Sequence, residues 1–174
     1  MQLIQTLTVG SGGQASIDFT SIPATFTDLY VAITVRSLRS GQIRDDLFIK
    51  YNALTTGYSY RFLRGTGSST SSNSGTFYNY VSQVPGATAT SNTFSNVGCY
   101  IPNYASSNAK SLSSDGVMEN NATESHQDIV ACLNTTSDPI TALSIFAGSA
   151  NLAQYSSASL YGILKGSDGI VTVS

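Results

Sequence analysis

Apolar and polar positions alternate most strictly at 28–36, where Leu29, Val31, Ile33 and Val35 fall on one side and Tyr30, Ala32, Thr34 and Arg36 on the other. A period of two marks a half-buried strand, because successive Cβ atoms leave opposite faces of a sheet. This stretch is expected to be a central strand. It is entered through Ser21-Ile22-Pro23, where proline has no N–H to continue a ladder and the chain must turn. The next alternation, at 45–51, sets Leu47, Ile49 and Tyr51 against Asp46, Phe48 and Lys50, and is expected to pair with the long strand. Further strands are predicted at 2–9, 15–20, 58–63, 76–81, 93–101, 109–118, 126–134, 140–147, 155–164 and 170–173. Glycine, proline and Asn/Asp/Ser/Thr clusters separate them. Gly116 hints at a bulge or bend. The segment 65–75, GTGSSTSSNSG, is low in complexity and reads as an exposed, mobile loop. The only helical signal is a turn around 119–124.

Many short strands without intervening helices imply an all-β fold, a sandwich or barrel. At 174 residues a jelly-roll-like β-sandwich of about 8–11 short antiparallel strands is the size-appropriate form, as a single domain spanning 1–174 with short N-terminal and C-terminal edge strands. A seven-stranded immunoglobulin-like domain is too small for this length.

Composition adds that charged residues are only 10% of the chain, so the solvent face must be built from hydroxyls and amides. Ten Tyr and seven Phe argue for a packed fold over disorder. The net charge of −2 gives no basic stripe for nucleic acid. No run is long and apolar enough for a membrane span, and the N-terminus lacks signal-peptide character. Basic residues concentrate in the first half (Arg36, Arg39, Arg44, Lys50, Arg61, Arg64) and acidic ones in the second (Asp115, Glu119, Glu124, Asp128, Asp138, Asp168). Either ion pairing across the fold or between subunits, or ordinary solvated charge, accounts for this division. Cys99 and Cys132 lack metal-ligand spacing and read as small buried residues.

Catalytic chemistry is poorly represented. His126, the only histidine, has no G-x-S-x-G elbow to serve and reads as a surface or half-buried strand residue. Asp115, Glu119, Glu124 and Asp128 are the densest carboxylates, but the order of a calcium loop is missing. Asp45-Asp46 reads as an edge guard. Gly65-Thr66-Gly67 lacks the lysine and helix of a phosphate loop. Tyr58, Tyr60, Arg61 and Arg64, with Tyr51 and Phe62, form an aromatic-basic cluster suited to stacking on sugars or bases, although alternation puts Tyr58, Tyr60 and Phe62 on one face and Arg61 on the other. Asn121 and Asn134 head glycosylation-type triplets that mean little without a signal peptide. No metal, cofactor or catalytic residue is expected.

The segments I-D-F-T-S-I-P (17–23), T-D-L (27–29), D-D-L (45–47), Y-S-Y (58–60), Y-I-P-N-Y (100–104), E-N-N-A-T (119–123) and S-A-S-L-Y-G-I (157–163) together resemble a group of small virion proteins of tailed phages, the type found in phages of marine bacteria and cyanobacteria. The resemblance runs in order over most of the chain. It implies a structural protein rather than an enzyme: a capsid cement or decoration protein, made in the host bacterial cytoplasm and carried on the capsid exterior. Its partner would be the major capsid protein and its own state a homotrimer. Relatives near tail and fibre genes imply the alternative, a tail-fibre or tail-appendage domain binding host-surface glycan. The interface residues expected under these readings are Tyr30, Arg36, Arg39 and Arg44, and in the aromatic-basic cluster Tyr58, Tyr60, Arg61 and Arg64. In a cement trimer part of the Tyr30, Thr34 and Arg36 face, or the turn at 39–44, would be buried by a neighbour.

Overall fold

The computed structural model describes residues 1–120 and 124–164; the strand expected at 170–173 and the middle of the turn expected at 119–124 lie outside them. The described residues form strands and no helix. In chain order the strands are β1 (Gln2–Thr8), β2 (Ile17–Phe19), β3 (Asp28–Thr34), β4 (Arg44–Tyr51), β5 (Tyr58–Gly65), β6 (Thr70–Gly75), β7 (Asn79–Pro85), β8 (Asn96–Ile101), β9 (Lys110–Glu119), β10 (Ser125–Asn134), β11 (Leu143–Ala147) and β12 (Ser157–Ile163). They make an eight-stranded sheet, β1-β12-β3-β8-β9-β10-β5-β6, and a four-stranded sheet, β2-β11-β4-β7. Every pairing is antiparallel, and the two sheets enclose the core of a β-sandwich.

The expected central strand is central. Leu29, Val31, Ile33 and Val35 are fully buried, while Tyr30, Ala32 and Thr34 face outward between β12 and β8. Each such side chain contributes roughly 1.5–3 kcal/mol on burial. Leu47, Ile49 and Tyr51 of β4, with Leu143 and Ile145 of β11, close the core from the other sheet. The expected pairing of β4 with β3 is therefore wrong: β4 lies between β11 and β7 in the opposite layer. Both strands carry an apolar face, and a sandwich satisfies both by setting them across the core rather than side by side.

Set apart the hairpin β5-β6 and the pair β9-β10, and the remaining eight strands follow one rule. First pairs with last (β1 with β12), second with seventh (β2 with β11), third with sixth (β3 with β8) and fourth with fifth (β4 with β7). This is the pairing of one long hairpin rolled upon itself. The two insertions extend the larger sheet beyond β8, and there they lie against β7, so that every residue of β7 is buried although it ends the four-stranded sheet.

Two further expectations are corrected. The segment 65–75 is not a loop but the second half of a hairpin: β6 pairs with β5 in unbroken register from Tyr60↔Gly75 to Gly65↔Thr70. Its turn is closed by Thr66, whose N–H donates to Ser69 O at 3.0 Å and whose Oγ1 accepts from Ser69 N–H at 3.1 Å. Polar side chains do not prevent a strand whose backbone groups find a partner edge. Gly116 marks no bulge, since β9 keeps register with both neighbours. It makes room instead for Ser82 of β7: a Cβ at 116 would stand 2.3 Å from Ser82 Oγ.

Candidate functional site

The outward face of the eight-stranded sheet is read directly from its register. One row runs Leu3, Tyr161, Tyr30, Tyr100, Ser113, Ala131, Arg61, Ser74 across all eight strands. The next runs Thr6, Ser159, Ala32, Gly98, Asp115, Ile129, Leu63, Ser72. In these two rows the only charges are Arg61 and Asp115. Leu63 and Ile129 stand directly opposite one another and are 62% and 59% exposed, with Leu133 and Val117 exposed nearby. An open groove of about 490 Å³ lies along them, lined also by Thr70, Ser72 and Gln127. Isolated exposed apolar residues are ordinary, but neighbouring ones on one sheet face make an apolar patch.

The expected interface residues do not share one surface. Tyr30 and Arg61 lie on it, Tyr30 between Tyr161 and Tyr100 in a row of tyrosines. Burial, then the nearby Asp115, raises the Tyr30 hydroxyl pKa. Arg36 is committed internally. Its Nη1 donates to Thr90 O (2.7 Å), Thr93 O (3.2 Å) and Thr93 Oγ1 (3.2 Å), and its Nη2 to Ala89 O (2.9 Å) and Ala87 O (3.3 Å), fixing the 87–93 loop. Arg39 lies 3.6 Å from Asp45, and Arg44 Nη1 donates to Glu124 at 2.5 Å.

Tyr58 is core: its hydroxyl accepts from Tyr51 N–H at 2.8 Å. Tyr60 and Phe62 face inward and pack on Tyr80, with ring centroids 5.4 and 5.1 Å away. Arg64 lies over Phe62 and grips Asp128. The aromatic-basic cluster is thus half core and half surface, as the alternation indicates. Two of the arginines, Arg44 and Arg64, do pair with carboxylates of the second half of the chain.

The carboxylates do not converge. Asp115 and Glu119 point outward from β9, whereas Asp128 points inward from β10. No group of three or more His, Cys, Asp or Glu able to hold a metal forms among the described residues. Asp45 is not an edge guard: it is 1% exposed in an interior strand and accepts from Ser37 Oγ (2.7 Å), Asp46 N–H (2.9 Å) and Ser149 N–H (3.3 Å). His126, expected at a surface or half-buried position, is buried, with Nε2 3.5 Å from Glu124. Burial, and then Arg64 and Arg44, lower its pKa. It lines a polar cleft of about 400 Å³ with Arg44, Arg64, Thr66, Ser68, Ser71, Glu124 and Ser125. Cys99 and Cys132 are free and buried; burial pushes the Cys132 thiol up to about 12, far from a reactive thiolate.

What the sequence could not place is the treatment of β7. Along its open edge, side chains take the part of a missing strand: Ser114 Oγ donates to Val81 O (2.8 Å), Cys132 Sγ donates to Tyr80 O (3.1 Å), and Gln83 N–H donates to Asp128 Oδ2 (3.2 Å). The segments 17–23, 27–29 and 100–104 also meet. Asp28 accepts from Tyr100 Oη (2.7 Å) and Asn103 N–H (2.8 Å), and Tyr104 Oη donates to Pro23 O. These residues tie the segments together in the fold. No family model matches the chain, and no curated protein or solved structure matches it.

Proposed function

We propose that the chain is a virion structural protein with a jelly-roll fold, a capsid cement protein that binds the outer surface of the major capsid protein shell as a trimer. The observation that carries this reading is the outward face of the eight-stranded sheet. Eight strands spaced about 4.8 Å apart and roughly 20 Å long offer on the order of 700 Å². That is close to the roughly 800 Å² per partner of a stable interface. The sparse charge, the row of tyrosines and the exposed Leu63-Ile129 pair suit lasting contact with another protein. The rolled pairing of first strand with last supports the jelly roll, a two-layer scaffold of paired antiparallel strands. A ligand that binds only the assembled shell stabilises it by mass action.

Quantitative mass spectrometry and cryo-electron microscopy of virions carrying the chain test this. Hundreds of copies over the head are expected; a few copies at the tail overturn it. A second reading, a tail-appendage domain binding host-surface glycan, is favoured by the cleft beside the β5-β6 hairpin, where Arg44, Arg64, His126 and several hydroxyls meet. Tail location together with saturable binding of the isolated protein to host polysaccharide selects it.

A further inference from the structure

Among the described residues the two sheets have four edges, and three are closed by recognisable devices. β2 is only three residues long. β7 is covered by β9 and β10 and bonded by their side chains. β1 is interrupted by a register shift between Leu3 and Gln5. Short strands, cover and bulges are the means by which proteins avoid edge-to-edge pairing. The fourth edge, β6, has none of them. Its six residues, Thr70-Ser-Ser-Asn-Ser-Gly75, are free of charge and proline, hold unbroken register with β5, and are exposed but for Gly75.

We infer that β6 is a pairing edge and that its occupant is β6 of a second copy, the two strands running antiparallel about a twofold axis normal to the sheet. Self-pairing fits this strand chemically. A twofold axis brings a residue opposite itself, which a charged edge would resist and a Ser/Thr/Asn edge favours through cross-strand hydroxyl and amide hydrogen bonds. The net charge of −2 opposes the approach of two copies only weakly. The one local competitor is Asn73, whose Oδ1 accepts from Ser74 N–H at 2.7 Å and is replaced when a strand pairs. The result is one sheet continuous across two molecules, with both outward faces on the same side. This contact stands independently of the virion reading; it uses the backbone edge of β6, whose Thr70 and Ser72 also border the Leu63-Ile129 groove, and not the core.

The test uses Ser72, whose side chain lies on the outward face opposite Leu63. Light scattering after size exclusion is expected to give a wild-type mass of an even number of chains, six where the twofold contact joins two trimers. Ser72→Lys and Ser72→Glu, each placing like charges near the axis, are expected to halve that number. An equimolar mixture of the two is expected to restore it, which a merely misfolded variant cannot do. Hydrogen exchange at 70–75 should slow with increasing concentration in the wild type and not in either variant. A wild type that is monomeric or odd-numbered, a mass unchanged in the variants, or failure of the mixture to recover overturns the inference.

Discussion

Arg64 and Asp128 stand directly opposite in the β5-β10 ladder and meet through two parallel bonds, Nε to Oδ1 at 2.7 Å and Nη2 to Oδ2 at 2.9 Å. The carboxylate is fully buried and also accepts from Tyr80 Oη (2.5 Å) and Gln83 N–H (3.2 Å). Removing one partner of a buried pair strands the other charge, at a cost of about 3–5 kcal/mol. Arg64→Ala is therefore expected to lower the thermal midpoint by roughly 6–20 °C. Asp128→Asn added to it should recover part of the loss, and a midpoint unmoved by Arg64→Ala would show that the pair is not needed.

His126 makes stability depend on pH. Its pKa in the folded chain is lowered by burial and by Arg64 and Arg44, against the raising effects of Glu124 and Asp128. Its stabilising contribution is complete above the ordinary imidazole value of about 6.5 and is lost as pH falls from there through the lowered value. Denaturant unfolding from pH 8 to 5 should show this fall. His126→Gln should flatten the slope; an equal slope in the variant would assign it to other groups.

Gly116 is needed for its lack of a side chain. Gly116→Ala places a methyl against Ser82, with the new Cβ 2.5 Å from Ser82 Cβ, and overpacking of this kind costs about 1–3 kcal/mol. Ser82→Gly should relieve it. A double-mutant cycle with a coupling energy near zero would refute the steric account.

Arg36→Lys keeps the charge but loses the fork that reaches Ala87, Ala89, Thr90 and Thr93. Hydrogen exchange in 87–93 is expected to accelerate while the sandwich core stays protected, with a global loss of about 1–3 kcal/mol. Unchanged exchange in the loop would mean that its backbone turns hold it unaided.

Leu63→Lys and Ile129→Lys change exposed positions and should alter stability by no more than about 0.5 kcal/mol. Under the cement reading they should abolish binding to assembled shells. Full binding by both variants would move the contact to another surface.

The fold was legible where burial is written in the local pattern. The alternation at 28–36 announced β3, and that at 45–51 announced β4. The partner of β4 was not legible, because neighbours in sequence usually pair, whereas this sandwich sends them to opposite layers. β6 was missed because serine-rich composition describes side chains, and the strand exists through backbone bonds to β5. Asp45 looked like a guard until Ser37 and Ser149 arrived from elsewhere to satisfy it. The exposed face shares this difficulty. Leu63 and Ile129 belong to strands far apart in sequence, and only the β5-β10 register makes them neighbours.

The side chains along β7 also decide how large the smaller layer can become. A backbone strand that docks on an edge satisfies it and at once presents a new edge, so growth by strands never ends of itself. A serine hydroxyl, a thiol or a carboxylate satisfies one group and offers no second row beyond it. By ending β7 on Ser114, Cys132 and Asp128, the chain stops lateral growth at that end of the smaller layer and leaves there no row on which a further strand could dock.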